Sequence, residues 1–159
     1  MRADMRNLPF ARACFSAVFS LFTSFGYFED SEDDFGVLQD AVDRLRPDGI
    51  YDLDFLGAPR VIKELVPRSV QSVEGRDVES TRSYDPETRV LRKAVRISRE
   101  GEIEFEYEER VRAYTPAQLD GLFERAGLEI LARYGGYGGE PFDEKLSSRY
   151  VLVGRKGSE

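Results

Sequence analysis

Few residues in this sequence are of a type that does chemistry. There is no histidine, and Cys14 is the single cysteine. That removes a histidine general base, a Cys/His zinc site and an internal disulfide. Cys14 lacks the partner that activates a thiol and reads as a small buried side chain. No catalytic residue is evident: a proton acceptor, if one is needed, has to be a tyrosine or a carboxylate such as Asp30. The stretch GGYGGEPFDEK, residues 135–145, has the glycines of a phosphate cradle. No strand-to-helix turn surrounds it and no Gly-Lys-Ser/Thr follows, so it reads as a flexible loop.

The chain that must position such groups has 159 residues, 41% of them hydrophobic and 33% charged, which suits one globular domain with a real core. Its net charge of -7 argues against nucleic acid or an anionic membrane as partner. No apolar run reaches the roughly 18 residues of a membrane helix. The first residues lack the basic-then-apolar form of a signal peptide, and a cytoplasmic protein is expected.

Residues 17–22, AVFSLF, form an apolar run without clean alternation, as in a strand buried on both faces of a parallel sheet. A helix follows from Ser31, read as its cap. Its apolar stripe is Phe35, Leu38, Ala41, Val42 and Leu45, and Pro47 and Gly49 stop it. IYDLDFL, 50–56, is the next strand, which completes a βαβ unit and hence a parallel pair. Residues 59–66 suit a short helix. Val73 to Tyr114 reads as an antiparallel meander with turns at DPET, 85–88, and EGE, 100–102. In its last strand Ile103, Phe105 and Tyr107 alternate onto one face, opposite an acidic, solvated one. Thr115 and Gln118 form a capping box, with Pro116 at the first helical position, for a helix over 115–127. Strands at 128–134 and 149–155 end the chain.

Several segments together resemble the C-terminal half of a class I S-adenosylmethionine-dependent methyltransferase. They are Asp4-Met5-Arg6 with Leu8-Pro9-Phe10, AVFSLFTSFGYF at 17–28, LRPDG before IYDLDFL, YDPET, RAYTPAQL, FERAGLEI and the late PFDE. Their order and spacing carry the likeness over essentially the whole chain, although Ser16 stands where the family usually has an acidic residue. The resemblance implies an α/β, Rossmann-like sheet ending in an antiparallel pair, with the meander at 73–114 inserted over the substrate side. The cofactor is expected across the carboxyl ends of the strands. Asp4 and Met5 would lie by its adenine, Phe22 and Thr23 would line it, and Ser24 and Tyr27 would line the substrate entrance. No metal is implied.

The family's first strand, with its glycine-rich turn, and the acidic residue that holds the ribose hydroxyls have no counterpart in these residues. Asp52 and Asp54 flank the strand 50–56 without occupying the matching position. The expectation is a partial methyltransferase fold lacking its N-terminal strands, with weak cofactor binding. It acts on a small-molecule substrate once a second copy or a complementing chain covers the exposed edge at 17–22. The alternatives are a non-catalytic binding or dimerisation module derived from that fold, or an unrelated α/β domain with a convergent pattern.

Overall fold

The structure, a computed structural model, describes residues 2–158. Strand β1 (Phe15–Ser20), helix α1 (Ser31–Arg44) and strand β2 (Leu45–Leu56) form the βαβ unit, with β1 and β2 parallel. Helix α2 (Ala58–Lys63) leads into four strands, β3 (Arg68–Val73), β4 (Arg76–Asp85), β5 (Val90–Arg99) and β6 (Glu102–Arg112). Helix α3 (Pro116–Arg125) and strands β7 (Leu128–Tyr134) and β8 (Arg149–Lys156) follow. One sheet has the order β1-β2-β8-β7, in which β8 is antiparallel to both neighbours. The other is the meander β3-β4-β5-β6.

Helices α1 and α3 lie on one face of the first sheet and close the core over it. Tyr51 meets Phe123 edge to face at 5.6 Å, and Leu38, Leu53, Phe55 and Leu119 are buried beside them. Each such side chain contributes about 1.5–3 kcal/mol when fully buried. Gly154 lies under Phe123, whose ring carbon would be 2.8 Å from an added Cβ, so the strand approaches the ring only as glycine. The alternation of β2 puts Asp52 and Asp54 on the opposite face, in register with Val153 and Val151.

The capping box of α3, the last two strands and the parallel pair agree with the sequence pattern. Other boundaries move. Strand β1 ends at Ser20 rather than 22, because Phe22 and Thr23 turn into the left-handed region (φ 56° and 60°). It is also not buried on both faces: among the described residues β2 is its single neighbour, and Phe19 is 62% exposed. Asp30, not Ser31, caps α1, its side chain accepting the Glu32 N–H at 2.9 Å. Strand β2 starts at Leu45, which pairs with Phe15 before an irregular stretch interrupts the ladder up to Ile50. Helix α2 covers 58–63, not 59–66. The meander begins at Arg68 and has four strands, because Glu74 and Gly75, both at positive φ, close an additional hairpin between β3 and β4. A register shift between Ile97 and Ser98 places Ile103 opposite Ser98, so the alternation shared by Phe105 and Tyr107 does not extend to it.

Candidate functional site

Open α/β sheets bind ligands at the carboxyl ends of their parallel strands. Here those ends are Ser20 of β1 and Leu56 of β2. The turn after β1 is strained, since left-handed conformations are uncommon outside glycine and a β-branched threonine is a marked outlier. Asp54 holds it. Its Oδ2 accepts the Phe22 N–H at 2.8 Å, and its backbone carbonyl accepts the Thr23 N–H at 3.0 Å. Ser24 closes the turn by donating from its N–H to the Leu21 carbonyl at 3.2 Å and from its hydroxyl to the same oxygen.

Asp54 is 1% exposed and is satisfied from two further directions. Arg149 of β8 donates from Nε to Oδ1 at 2.7 Å, with Nη2 also against that oxygen. Tyr137 of the glycine-rich loop donates its hydroxyl to Oδ2 at 2.7 Å, although its ring is 68% exposed. The loop read as flexible is therefore pinned at Tyr137, and a bridge between Tyr134 and Pro141 narrows its base. Asp52, two residues earlier on the same face, is half-buried. Its carboxyl is raised above the ordinary carboxylate value, first by burial and then by the like charge of Asp54.

A second buried carboxylate organises the neighbouring loop. Asp34 accepts the Tyr114 hydroxyl at 2.8 Å and the Phe28 N–H at 3.3 Å, with Arg112 Nε 3.7 Å away. Burial is the main reason that its carboxyl titrates above the usual range. The Gly26 carbonyl accepts the Arg112 N–H at 2.7 Å, which docks the loop 26–29 on the end of β6. Gly26 has φ 86°, and an added Cβ would lie 3.1 Å from the Arg112 carbonyl, so both conformation and space require glycine. Between this loop and the meander lies a cleft of about 410 Å³. A smaller space of about 150 Å³, lined by Val61, Leu65, Leu91 and Val111, meets it at Tyr27. Tyr27 is 44% exposed, and its phenol is raised by burial and by Glu109.

The structure gathers the expected site residues into two groups. Phe22, Thr23 and Ser24 form the strained turn, with Thr23 buried and Phe22 74% exposed, and Tyr27 stands in the cleft. Asp4 and Met5 belong to a segment tied to α1 instead: the Leu8 N–H donates to Asp40 at 2.7 Å, and Met5 packs on the core. The Asp4 carboxylate is exposed and engaged by Arg6, whose Nη2 lies at 2.8 Å. That side-chain hydrogen bond holds Asp4 down at about 2. Arg6 in turn stacks over Phe28 at 4.8 Å, which links the segment to the loop above the cleft. No hydrogen bond joins Asp4 or Met5 to the strained turn among the described residues. Asp30, the carboxylate considered as a base, is occupied as the α1 cap. Sequence reading missed Asp54, Tyr137 and Arg149 as a unit. The one available signal was the pair of aspartates inside an otherwise apolar strand.

Among the described residues there is no group of acidic, cysteine or histidine side chains able to hold a metal, and no helix is long and apolar enough to cross a membrane.

No family model and no curated protein sequence matches this chain. Solved structures do match its fold. The CcbJ methyltransferase from Streptomyces caelestis aligns with a TM-score of 0.82 at 21% identity, over 98% of this chain and 66% of that one. An S-adenosylmethionine-dependent methyltransferase from Clostridium acetobutylicum aligns at 0.83 and 16% identity, over 98% and 63%. CalS10 from Micromonospora echinaspora, an amino pentose methyltransferase solved with S-adenosylmethionine bound, aligns at 0.69 and 22%, over 97% and 63%. The chain thus spans less than two thirds of the length of these proteins. Its α/β architecture, a mixed sheet beside an antiparallel one, is the fold of class I S-adenosylmethionine-dependent methyltransferases.

Proposed function

We propose that this chain is the acceptor-side part of an S-adenosylmethionine-dependent methyltransferase, lacking the N-terminal strands of that fold, and that it takes part in methyl transfer to a small molecule. The observation that carries this reading is the strained Phe22-Thr23 turn, clamped by the buried Asp54 at the carboxyl end of the parallel pair and followed directly by the cleft at Tyr27. Such a turn costs on the order of 1–3 kcal/mol per strained residue, and strain of this kind persists where a site requires it. Phe22 and Thr23 line the cofactor, Asp4 and Met5 approach its adenine, Ser24 and Tyr27 face the acceptor, and the meander covers the acceptor. In methyl transfer the nucleophile attacks the sulfonium carbon in line, and alignment supplies much of the rate. The turn and the cleft are suited to that task.

The glycine-rich turn and the ribose-binding acid come from outside these residues, from a further segment or another polypeptide. The free edge of β1 supports this. Of the four edge strands, β6 carries seven charged side chains, β7 has Glu129, Arg133 and a register shift, and β3 has Arg68. β1, with the sequence FSAVFS, has no charge. Charges and irregularities are what discourage an edge from pairing, so β1 is the edge left open to another strand. The same edge favours the second reading, a binding or dimerisation module without catalysis.

Calorimetric titration of S-adenosylhomocysteine into the purified chain, with its mass in solution measured alongside, separates the two. Saturable binding, millimolar for a monomer and tighter for an assembly, supports the methyltransferase reading. An assembly that gives no binding heat at millimolar ligand supports the module. A monomer without binding contradicts both.

A further inference from the structure

The charge pattern of the cleft at Tyr27 carries an inference about what binds there. In the β5–β6 ladder, facing charges are complementary at Lys93 with Glu109, Arg96 with Glu106 and Arg99 with Glu102. The exception is Arg92 directly opposite Arg110. Like charges in that position destabilise a sheet. Arg82 and Lys93 also face each other across β4 and β5, but there Glu109 takes the Lys93 ammonium at 3.3 Å. Arg92 faces the neutral Ser83 on β4 and makes no ion pair or side-chain hydrogen bond at contact distance among the described residues, although its charge acts on the carboxylates of Asp85 and Glu108. The like-charged pair lies in the wall of the 410 Å³ cleft, together with Arg112. Arg112 donates from Nη2 to the Glu29 carbonyl at 2.6 Å, and its buried Nε stands 3.7 Å from the Asp34 carboxylate. Arg110 is partly engaged by Glu108, at 2.6 Å from its Nε. Glu29 and Glu87 are the carboxylates lining the cleft.

We infer that Arg92, Arg110 and Arg112 form a subsite for one anionic oxygen group, a carboxylate or a phosphate monoester, carried by the molecule that occupies the cleft. Guanidinium groups bind such oxygens through paired, charge-assisted hydrogen bonds. The lining acids Glu29 and Glu87 limit the site to a single anion and disfavour a polyanion. The inference rests on reading the cleft as the acceptor pocket and narrows the acceptor to an acid or a phosphate ester.

Thermal unfolding of the full chain tests it without any cofactor, so a failure of S-adenosylhomocysteine binding leaves the result standing. The probes are inorganic phosphate and sodium benzoate, each against chloride at equal ionic strength. At about tenfold its dissociation constant, an anion that occupies the subsite raises Tm by roughly 3–5 °C. A rise in phosphate alone identifies a phosphate ester, and a rise in benzoate alone identifies a carboxylate. Arg92→Gln should abolish the rise. Arg96→Gln, which loses a complementary pair, should lower the anion-free Tm and keep the anion response. No rise in the parent chain, or an equal rise in Arg92→Gln, would each overturn the inference. A general salting effect of phosphate acts on both chains alike and falls among these outcomes.

Discussion

Asp34 and Asp54 are built from the same parts and do different work. Each is 1% exposed and accepts a tyrosine hydroxyl, a backbone N–H from the loop after β1, and the approach of an arginine. Around Asp34 the tyrosine is itself buried (Tyr114, 5% exposed) and Arg112 stands off at 3.7 Å. Around Asp54 the arginine is in direct contact through Nε at 2.7 Å, and Tyr137 stands largely in solvent. Asp34 thus joins core elements, the α1 start to the meander exit. Asp54 joins the core to two loops, the strained turn and the glycine-rich loop. A buried carboxylate that stabilises the core is expected to move stability when altered. One that positions an exposed turn is expected to move ligand binding as well.

The largest effect that separates them is truncation. Asp54→Ala leaves Arg149, a partly buried charge, unpaired and frees the Phe22 amide, and should cost about 3–5 kcal/mol in denaturant unfolding. Asp34→Ala should cost about 2–3 kcal/mol, since its arginine is not tightly paired. Equal costs, or the reverse order, would remove the distinction. Next come the tyrosines. Tyr114→Phe should lose about 1–2 kcal/mol and Tyr137→Phe less than about 1 kcal/mol, because Tyr114 is buried with its carboxylate, whereas Tyr137 is exposed and Asp54 keeps the Arg149 donor. A pH series sharpens the comparison further. Asp34 titrates higher in the folded chain than in the unfolded one, so the folded state binds the extra proton. Its stabilising contribution is complete below the ordinary carboxylate value and is lost as pH rises through the folded value. The stability of the parent chain relative to Asp34→Asn should therefore fall as pH rises from about 4, a trend that urea midpoints in matched buffers would detect. The smallest effect belongs to Asp4. It is held at about 2 by Arg6 and is exposed, so its contribution is present at neutral pH and disappears only as pH falls through about 2. Asp4→Asn should leave Tm nearly unchanged at pH 7.

What the sequence made legible follows from the range of the interactions. Helix α3 is set by contacts three residues apart, Thr115 with Gln118, and its boundaries can be read directly. The DPET turn is likewise local, with Asp85 accepting the Glu87 and Thr88 N–H groups. The end of β1 is not local. Phe22 leaves the strand because a carboxylate 32 residues later takes its N–H, and nothing near LFTS encodes that. The β3–β4 hairpin was not legible because RSVQSV lacks a clear apolar face, and of its turn pair only Gly75 is a residue that favours positive φ. The Asp54 site draws on Tyr137 and Arg149, 83 and 95 residues away, so its aspartate could be suspected from the sequence and its partners could not.

The turn held by Asp54 is the proposed cofactor-lining element. That role is tested most directly by titrating S-adenosylhomocysteine into isotopically labelled chain and following the backbone amide resonances, which register even weak binding. The account predicts saturable shifts at Phe22, Thr23 and Ser24, with smaller ones at Asp4 and Met5, and their loss in Asp54→Asn while the amides around Asp34 keep their positions. Shifts confined to other parts of the chain, or none at saturating ligand, would contradict it.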